Sequence, residues 1–556
     1  ENDNTFISAQ PIQAGAAILG PTVKGPVGIP TLVSSFADYK NKFGCIVESG
    51  SAEYTYFTSI SAYNYFQQGG DSLLVTRVVS GSYTSATSTN IGCGIEGTTL
   101  VDLTSAAAFN ATGSTAGTKT DVKSSNTNVT ASIVLSSTTA FTSTSVTAAI
   151  GTFNVGDTVV FTSQSLGATK GGGTDLTFTL VDADIANENV FTLETLTEGA
   201  IANSGTATGA NGTLTNGTKD NLRWEIVQPD TAKGTFSLLI RRGDDTTTSK
   251  TVLETWSDLS LDPNSNNYIE KVIGNSKQVV ANDGSDYYIK NEGTYNTLSQ
   301  FVRVKSVSKK TLNYFDNNGD AKTAFTGSIP QAGSGSFTGA TGTPFAGRAG
   351  QFYENIDGTD TQGLEAINYT NSLNLLANKD LFSYNVITAP GLTRQSHASP
   401  LTTLVNNAQT RGDNLAVIDL RNYSSTLATV TAGASGVDSS YAAAYWPWLQ
   451  TLDPDLGSQV WVPASTMIPG VYAFNDRAGE AWFAPAGLNR GGLSTVLRTE
   501  RALTNGNRDT LYGANVNPIA TFPNTGVVVF GQKTLQKKAS ALDRVNVRRL
   551  LIALKS

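Results

Sequence analysis

The chain has 556 residues, too many for one ordinary hydrophobic core, so about two to four domains are expected. Charged residues are only 15%, the net charge is −7 and the single histidine is His397. That balance excludes a general nucleic-acid binder, which needs a basic stripe, and it excludes HExxH zinc chemistry and His-rich metal sites.

The opening, ENDNTFISAQ, has neither the basic n-region nor the apolar h-region of a signal peptide. In QPIQAGAAILGPTVKGPVGIPTLVSSFADYKNKFG, Ala16 to Leu19 predicts a strand, and Pro21, Gly25, Pro26, Gly28 and Pro30 break anything longer. Ser35 to Lys42 predicts a short helix, with Phe36 and Tyr39 three apart. Tyr63, Phe66 and Gln67 fit a second helix that stops at Gly69-Gly70, and Leu73 to Val79 reads as a strand.

From Gly81 to about Gly217 the chain is dominated by Ser, Thr, Ala, Gly and Asn. The β-prone patches ASIVLSS, DTVVFTS and LTFTLVDAD lie between turn-rich stretches, which predicts a β domain inserted into a surface loop. Alternation resumes at NLRWEIVQPD and FSLLIRR. Leu253, Trp256 and Leu259 follow at a spacing of three, and Tyr268 to Ile273 enters a helix. The Gly-rich stretch 316–350 reads as a long surface excursion. After Asp357, a helix, the strand-like YNVITAPGL, another helix and the strand Leu415 to Leu420 give an α/β layer with Ile387 and Val417 in its core.

Chemical motifs are scarce. No run of about 18 apolar residues exists to span a membrane. Cys45 and Cys93 read as two buried thiols, and Asp357, Asp360 and Glu365 lack the frame of an EF-hand loop. Two Arg-Gly-Asp tripeptides, at 242–244 and 411–413, fall where turns are expected, and His397 has no orienting acid nearby for base catalysis. Asp476 and Glu480, near Arg477 and Arg490, read as ion-pairing groups rather than a hydrolase dyad.

The closing segment stands out. From Lys533 to Lys555 there are seven positive charges and one negative, a net +6. Leu542, Val545, Arg549, Leu550 and Leu554 follow helical spacing as a packing side, leaving Arg544, Arg548 and Lys555 on another. A basic surface aimed at an acidic protein partner is expected there. Reversing Arg544 and Arg548 to Glu should then leave the fold intact.

Several segments carry a family resemblance. They are AAILGPTVKGPVGIPTLVSSFADYKNKFG, NYFQQGGDSLLVTRVV, SLDPNSNNYI, WVPASTMIPGVYAFNDRAGEAWFAPAGLNRGGL and LYGANVNPIATFPNTGVVVFGQKTL with ALDRVNVRRLLIALKS. The most specific are Asn517-Pro518-Ile519, Gly531-Gln532-Lys533-Thr534 and Asp543-Arg544-Val545-Asn546-Val547-Arg548-Arg549. On these the chain resembles the contractile tail sheath proteins of myovirus-type, T4-like bacteriophages.

The resemblance implies a structural, non-catalytic protomer with no cofactor and no metal. It implies a multidomain α+β fold, with an inner α/β layered domain formed by both chain ends (1–80 and 355–556). A middle α/β domain (219–354) and an inserted outer Ser/Thr-rich β domain (82–218) complete it. Copies would stack as hexameric rings into a helical sheath, with baseplate and tail terminator proteins at its ends. The tube-facing basic residues would be Lys533, Arg544, Arg548, Arg549 and Lys555, against an acidic tail-tube surface. No nucleic acid is contacted and no membrane is entered. The location would be the virion tail, after assembly in the host cytoplasm. Family members also continue beyond the equivalent of Ser556, with an arm that adds a strand to a neighbour. The alternatives are the sheath of an R-type bacteriocin or secretion-system-like device, a bacterial surface adhesin, and a glycan-cleaving enzyme on a β scaffold.

Overall fold

Two strands from distant parts of the sequence, Ile12–Gly20 and Phe382–Thr393, run parallel with Ile18 opposite Thr388. They are the third and fourth strands of an eight-stranded sheet in the computed structural model. The structure describes residues 12–49, 52–93, 189–284, 286–343, 352–354, 356 and 360–555. It also gives the strand backbones at 98–105, 119–125, 128–135, 144–150, 158–161 and 176–185. Asp357 lies outside the described residues.

The eight strands are ordered Thr31–Val33, Leu73–Arg77, Ile12–Gly20, Phe382–Thr393, Leu415–Asp419, Ala442–Trp446, Asn517–Phe522 and Gly526–Val529. The inner neighbours pair in parallel, and only the two outermost pairs are antiparallel. A parallel sheet is covered on both faces, so its strands read as continuous apolar runs. Leu73–Arg77, Leu415–Asp419 and Ala442–Trp446 are buried at every residue.

Successive side chains point to opposite faces, which sorts the core into two layers. Ile18, Leu73, Val75, Val417 and Tyr445 join Ile60 of the helix Phe57–Gln67 and Val471 of the helix Ile468–Ala478. Leu19, Leu74, Ile387, Ala416 and Trp446 face Leu373 and Leu376 of Thr370–Leu376 and Leu401 and Leu404 of Ala398–Arg411. Each fully buried Leu or Ile contributes roughly 1.5–3 kcal/mol. The helix Phe36–Phe43 is capped by Ser35, whose hydroxyl accepts from the Asp38 amide.

A second, seven-stranded sheet is antiparallel throughout. Its order is Val252–Ser260, Thr235–Arg242, Leu222–Asp230, Gly333–Thr338, Ser85–Ser88, Phe191–Glu198 and Val302–Val307. Its core holds Phe191, Leu193, Trp224, Ile226, Phe236, Leu238, Val304 and Phe337.

This sheet departs from the sequence reading in four ways. It is a β unit whose helices Ile269–Val272 and Thr323–Thr326 are single turns, not an α/β layer. The spacing of Leu253, Trp256 and Leu259 belongs to a strand with irregular register, because bulges at 236–238 and 240–241 shift its alternation. The Gly-rich excursion supplies the strand Gly333–Thr338, where Gly335 leaves room for the Trp224 ring. Finally, Ser85–Ser88 and Phe191–Glu198 lie within 82–218 yet complete this sheet.

Between those two strands the chain forms a six-stranded antiparallel sheet. Its order is Thr144–Ile150, Asn128–Leu135, Lys119–Ser125, Thr98–Ser105, Leu176–Ile185 and Thr158–Phe161. The described residues of the Ser/Thr-rich segment between 98 and 185 are therefore strands. Its entry and exit are adjacent, since Gly92 bridges Asn189 and the Val190 amide donates to the Ile91 carbonyl at 2.9 Å.

Candidate functional site

The closing segment is tied to the sheet by Asn517. Its side-chain amide donates to the Ala444 carbonyl at 3.1 Å and to the Lys533 carbonyl at 2.8 Å, and its oxygen accepts from the Lys533 amide at 2.6 Å. Asn517 is fully buried, where unpaired amide groups would be costly. Asn517-Pro518-Ile519 and Gly531-Gln532-Lys533-Thr534 thus form one structural unit. The chain then bridges Lys533 to Arg544 and turns through Ala541–Asp543 into the helix Val545–Lys555.

The helix buries a face other than the one its leucines suggest. Val545, Arg548, Arg549 and Ile552 are inside, whereas Leu551 is 40% and Leu554 74% exposed. Arg548 and Arg549 are each only 5% exposed, so the expectation of an outward Arg548 is corrected. The physical reason is aromatic: a guanidinium stacks on a ring while its edge keeps donating hydrogen bonds. Arg548 lies over Tyr441 and donates from Nε to the Ser440 carbonyl at 3.2 Å. Arg549 lies over Tyr472, 4.7 Å from its centroid, and pairs with Asp476 at 2.5 Å. Below it the Tyr472 and Tyr445 hydroxyls are 2.6 Å apart, and burial pushes the Tyr472 phenol up to about 12.

Lys533 and Arg544 meet at one ring. Lys533 Nζ stands 4.5 Å above Tyr512 and donates to the Tyr512 carbonyl at 2.9 Å, while Arg544 donates to the Tyr512 hydroxyl. Arg544 also pairs with Asp543 at 3.1 Å. Burial, with the Arg544 cation next to it, pulls the Lys533 ammonium below its ordinary value. Lys555 lies apart from that pair. Its Nζ sits 2.4 Å from where a Cβ on Gly412 would be, and its side chain is exposed.

The five residues therefore do not make one basic face. The exposed cations of the closing segment are Lys537, Lys538 and Lys555, with Arg544 half-buried. No spacing within the closing segment points to Tyr441, Tyr472 and Tyr512, the rings that seat the cations. Their signal was an unexplained surplus of Arg beside a stripe at 545, 548, 549 and 552.

The remaining candidates are structural. Arg549 occupies Asp476, and Arg490 stacks on Phe483 at 4.3 Å. Asp360 caps the Gly363 amide, and among the described residues no group of three His, Cys, Asp or Glu could hold a metal. Buried His397 accepts from the Thr393 amide at 3.3 Å. Both tripeptides close on themselves: Arg242 pairs with Asp244, and the buried Arg411 pairs with Asp413 at 2.8 Å. Cys45 and Cys93 are buried thiols, neither in a disulfide. Among the described residues no helix is long and apolar enough to cross a membrane.

Residues 363–535, which carry five strands of the eight-stranded sheet, match the phage tail sheath protein central domain. The tail sheath protein of Vibrio phage KVP40 is 37% identical over 140 residues, 25% of this chain and 19% of that protein. The tail sheath protein of Enterobacteria phage T4 is 33% identical over 141 residues, 25% of this chain and 21% of that protein. The chain matches only about a fifth of the length of these relatives. The sheath tail protein Lin1278 of Listeria innocua superposes with a TM-score of 0.40 at 9% identity, over 97% of this chain and 73% of that one. Over the part of its length matched in sequence the chain is thus similar to the tail sheath proteins of T4-like phages.

Proposed function

We propose that the chain is a protomer of a contractile sheath, in a phage tail or a related injection device. Copies stack as hexameric rings around a tail tube, between baseplate and tail terminator, and shorten to drive the tube through the host envelope. The observation that carries this reading is the match of residues 363–535 to the sheath central domain. The work is mechanical: energy held in a strained extended array is released when interfaces between copies repack.

In this reading the eight-stranded unit is the inner domain, the seven-stranded unit the middle one and the six-stranded sheet the outer one. The tube-facing cations are Lys537, Lys538 and Lys555, whereas Lys533 and Arg544 are seated on Tyr512. Arg548 and Arg549 hold the helix in place. An exposed cationic surface sets encounter and register with an acidic tube, and salt screens it.

Electron microscopy of the chain incubated with its cognate tube and baseplate tests the reading. Ordered rings or helical sheaths around the tube are expected. Bare tubes in the presence of folded protein would overturn it.

A further inference from the structure

The hairpin Lys277–Asp283 and Asp286–Glu292 belongs by sequence to the seven-stranded unit but pairs with neither large sheet. A lone two-stranded hairpin is marginal in water, so something else must hold it. Val280 lies opposite Ile289, and both pack with Tyr287 against the core layer that contains Leu373 and Leu376. The Tyr287 hydroxyl donates to Asn371 Oδ1 at 3.3 Å. The hairpin thus reaches from one unit and docks on the helix Thr370–Leu376 of the other.

Its base meets a second junction at Glu198, the last residue of the strand Phe191–Glu198. Lys277 Nζ pairs with Glu198 Oε1 at 3.2 Å, and Glu198 Oε2 accepts from the Val27 amide at 3.0 Å. The Glu198 carbonyl accepts from Arg77 Nη1 at 2.7 Å, and the same nitrogen donates to the Gly25 carbonyl at 2.7 Å. Arg77 ends a strand of the eight-stranded sheet and is fully buried. A cleft of about 730 Å³ lies between this junction and the hairpin, lined by Val27, Ile29, Val279, Val280 and Phe301. Glu198 therefore touches both units and the hairpin at once.

We propose that the hairpin is a strap and Glu198 its latch, two halves of one device that holds the seven-stranded unit fixed on the eight-stranded one. Lys277 is the link between them, so loosening either half loosens the other. This coupling goes beyond the sheath reading and does not depend on it.

Amide hydrogen exchange on the full chain tests it, with Glu198→Ala, Glu198→Gln and the double substitution Tyr287→Ser with Ile289→Ser. Glu198→Ala removes the acceptor for Val27 and the partner of Lys277. Its hairpin amides should exchange about tenfold faster or more, as a local opening does, while amides inside both large sheets stay protected. The double substitution, remote from Glu198, should speed exchange at the Val27 amide by a similar factor. Glu198→Gln keeps the acceptor and loses the charge, so it should fall between Glu198→Ala and the native chain; it also serves if Glu198→Ala does not fold. Hairpin protection unchanged in both Glu198 variants would overturn the proposal. So would loss of protection across both sheets together, which would make the junction part of one common core.

Discussion

The Arg548 guanidinium lies 3.9 Å from the centroid of the Tyr441 ring, on the inner side of the closing helix. Two of the residues that give this segment its positive charge are thus packing residues. Their cations are satisfied by rings, carbonyls and one carboxylate, which leaves Lys537, Lys538 and Lys555 to meet solvent.

Replacing Arg548 with Ala should therefore cost about 2–3 kcal/mol, from the lost stacking and charge-assisted hydrogen bonds. Arg548→Glu should cost more, because it buries an anion against the Ser440 carbonyl. Urea denaturation of the purified chain measures both. A loss under about 0.5 kcal/mol, the range of ordinary surface changes, would mean that the helix does not pack this way.

Gly15 is held by Tyr65. A Cβ at Gly15 would lie 2.2 Å from the Tyr65 hydroxyl oxygen but 3.6 Å from the ring carbon that bears it. Gly15→Ala should destabilise by about 1–3 kcal/mol through overpacking. On a Tyr65→Phe background the same change should cost much less. A double-mutant cycle reads the coupling directly, and additive effects would contradict it.

Asp419 gives the chain a pH dependence. It accepts from the Ser465 amide at 3.1 Å and the Ser465 hydroxyl at 2.5 Å, and burial raises its carboxyl from 3.8 to about 7. Between those values the folded state keeps a proton that the unfolded state has released, so this contribution falls as pH rises from about 4 to about 7 and is flat above. At about 1.4 kcal/mol per unit, the decline reaches up to about 4 kcal/mol. Asp419→Asn should remove it. Stability measured at pH 4 and pH 7.5 should shift in the variant's favour at the higher value, and parallel profiles would rule the effect out.

The inserted sheet should be removable along a different boundary from the compositional one. Cutting 82–218 would delete Ser85–Ser88 and Phe191–Glu198 from the seven-stranded core. Joining Cys93 to Asn189 through a short Gly/Ser loop should instead keep the Gly92–Asn189 bridge and leave a folded protein. Circular dichroism and a cooperative melt check this. An unfolded product would show that the six strands support the rest.

What was legible in the sequence was local. The helix spacing of Phe36 and Tyr39, the stop at Gly69-Gly70 and the apolar runs at 73–79 and 415–420 are written in periodicity, turn and burial chemistry. Helices Phe36–Phe43 and Phe57–Gln67 and strands Leu73–Arg77 and Leu415–Asp419 fall there, the strands ending one or two residues early. The misreadings involve partners distant in the chain. Gly333–Thr338 is a strand because Trp224 and Ser88 lie beside it, and no spacing within a Gly-rich stretch carries that information. Composition likewise put the edge of the insertion at Gly81, although the chain leaves the sheet only beyond Cys93. The inward turn of Arg548 and Arg549 depends on Tyr441 and Tyr472, which lie far upstream in sequence.

The most direct measurement is a cryo-electron microscopy map of assembled particles that carry this protein around their tube. A sheath protomer of the kind proposed places the helix Val545–Lys555 at the lumen, with Lys537, Lys538 and Lys555 within reach of tube carboxylates and the six-stranded sheet at the outer rim. A map with the six-stranded sheet against the tube and the closing helix at the rim would contradict it.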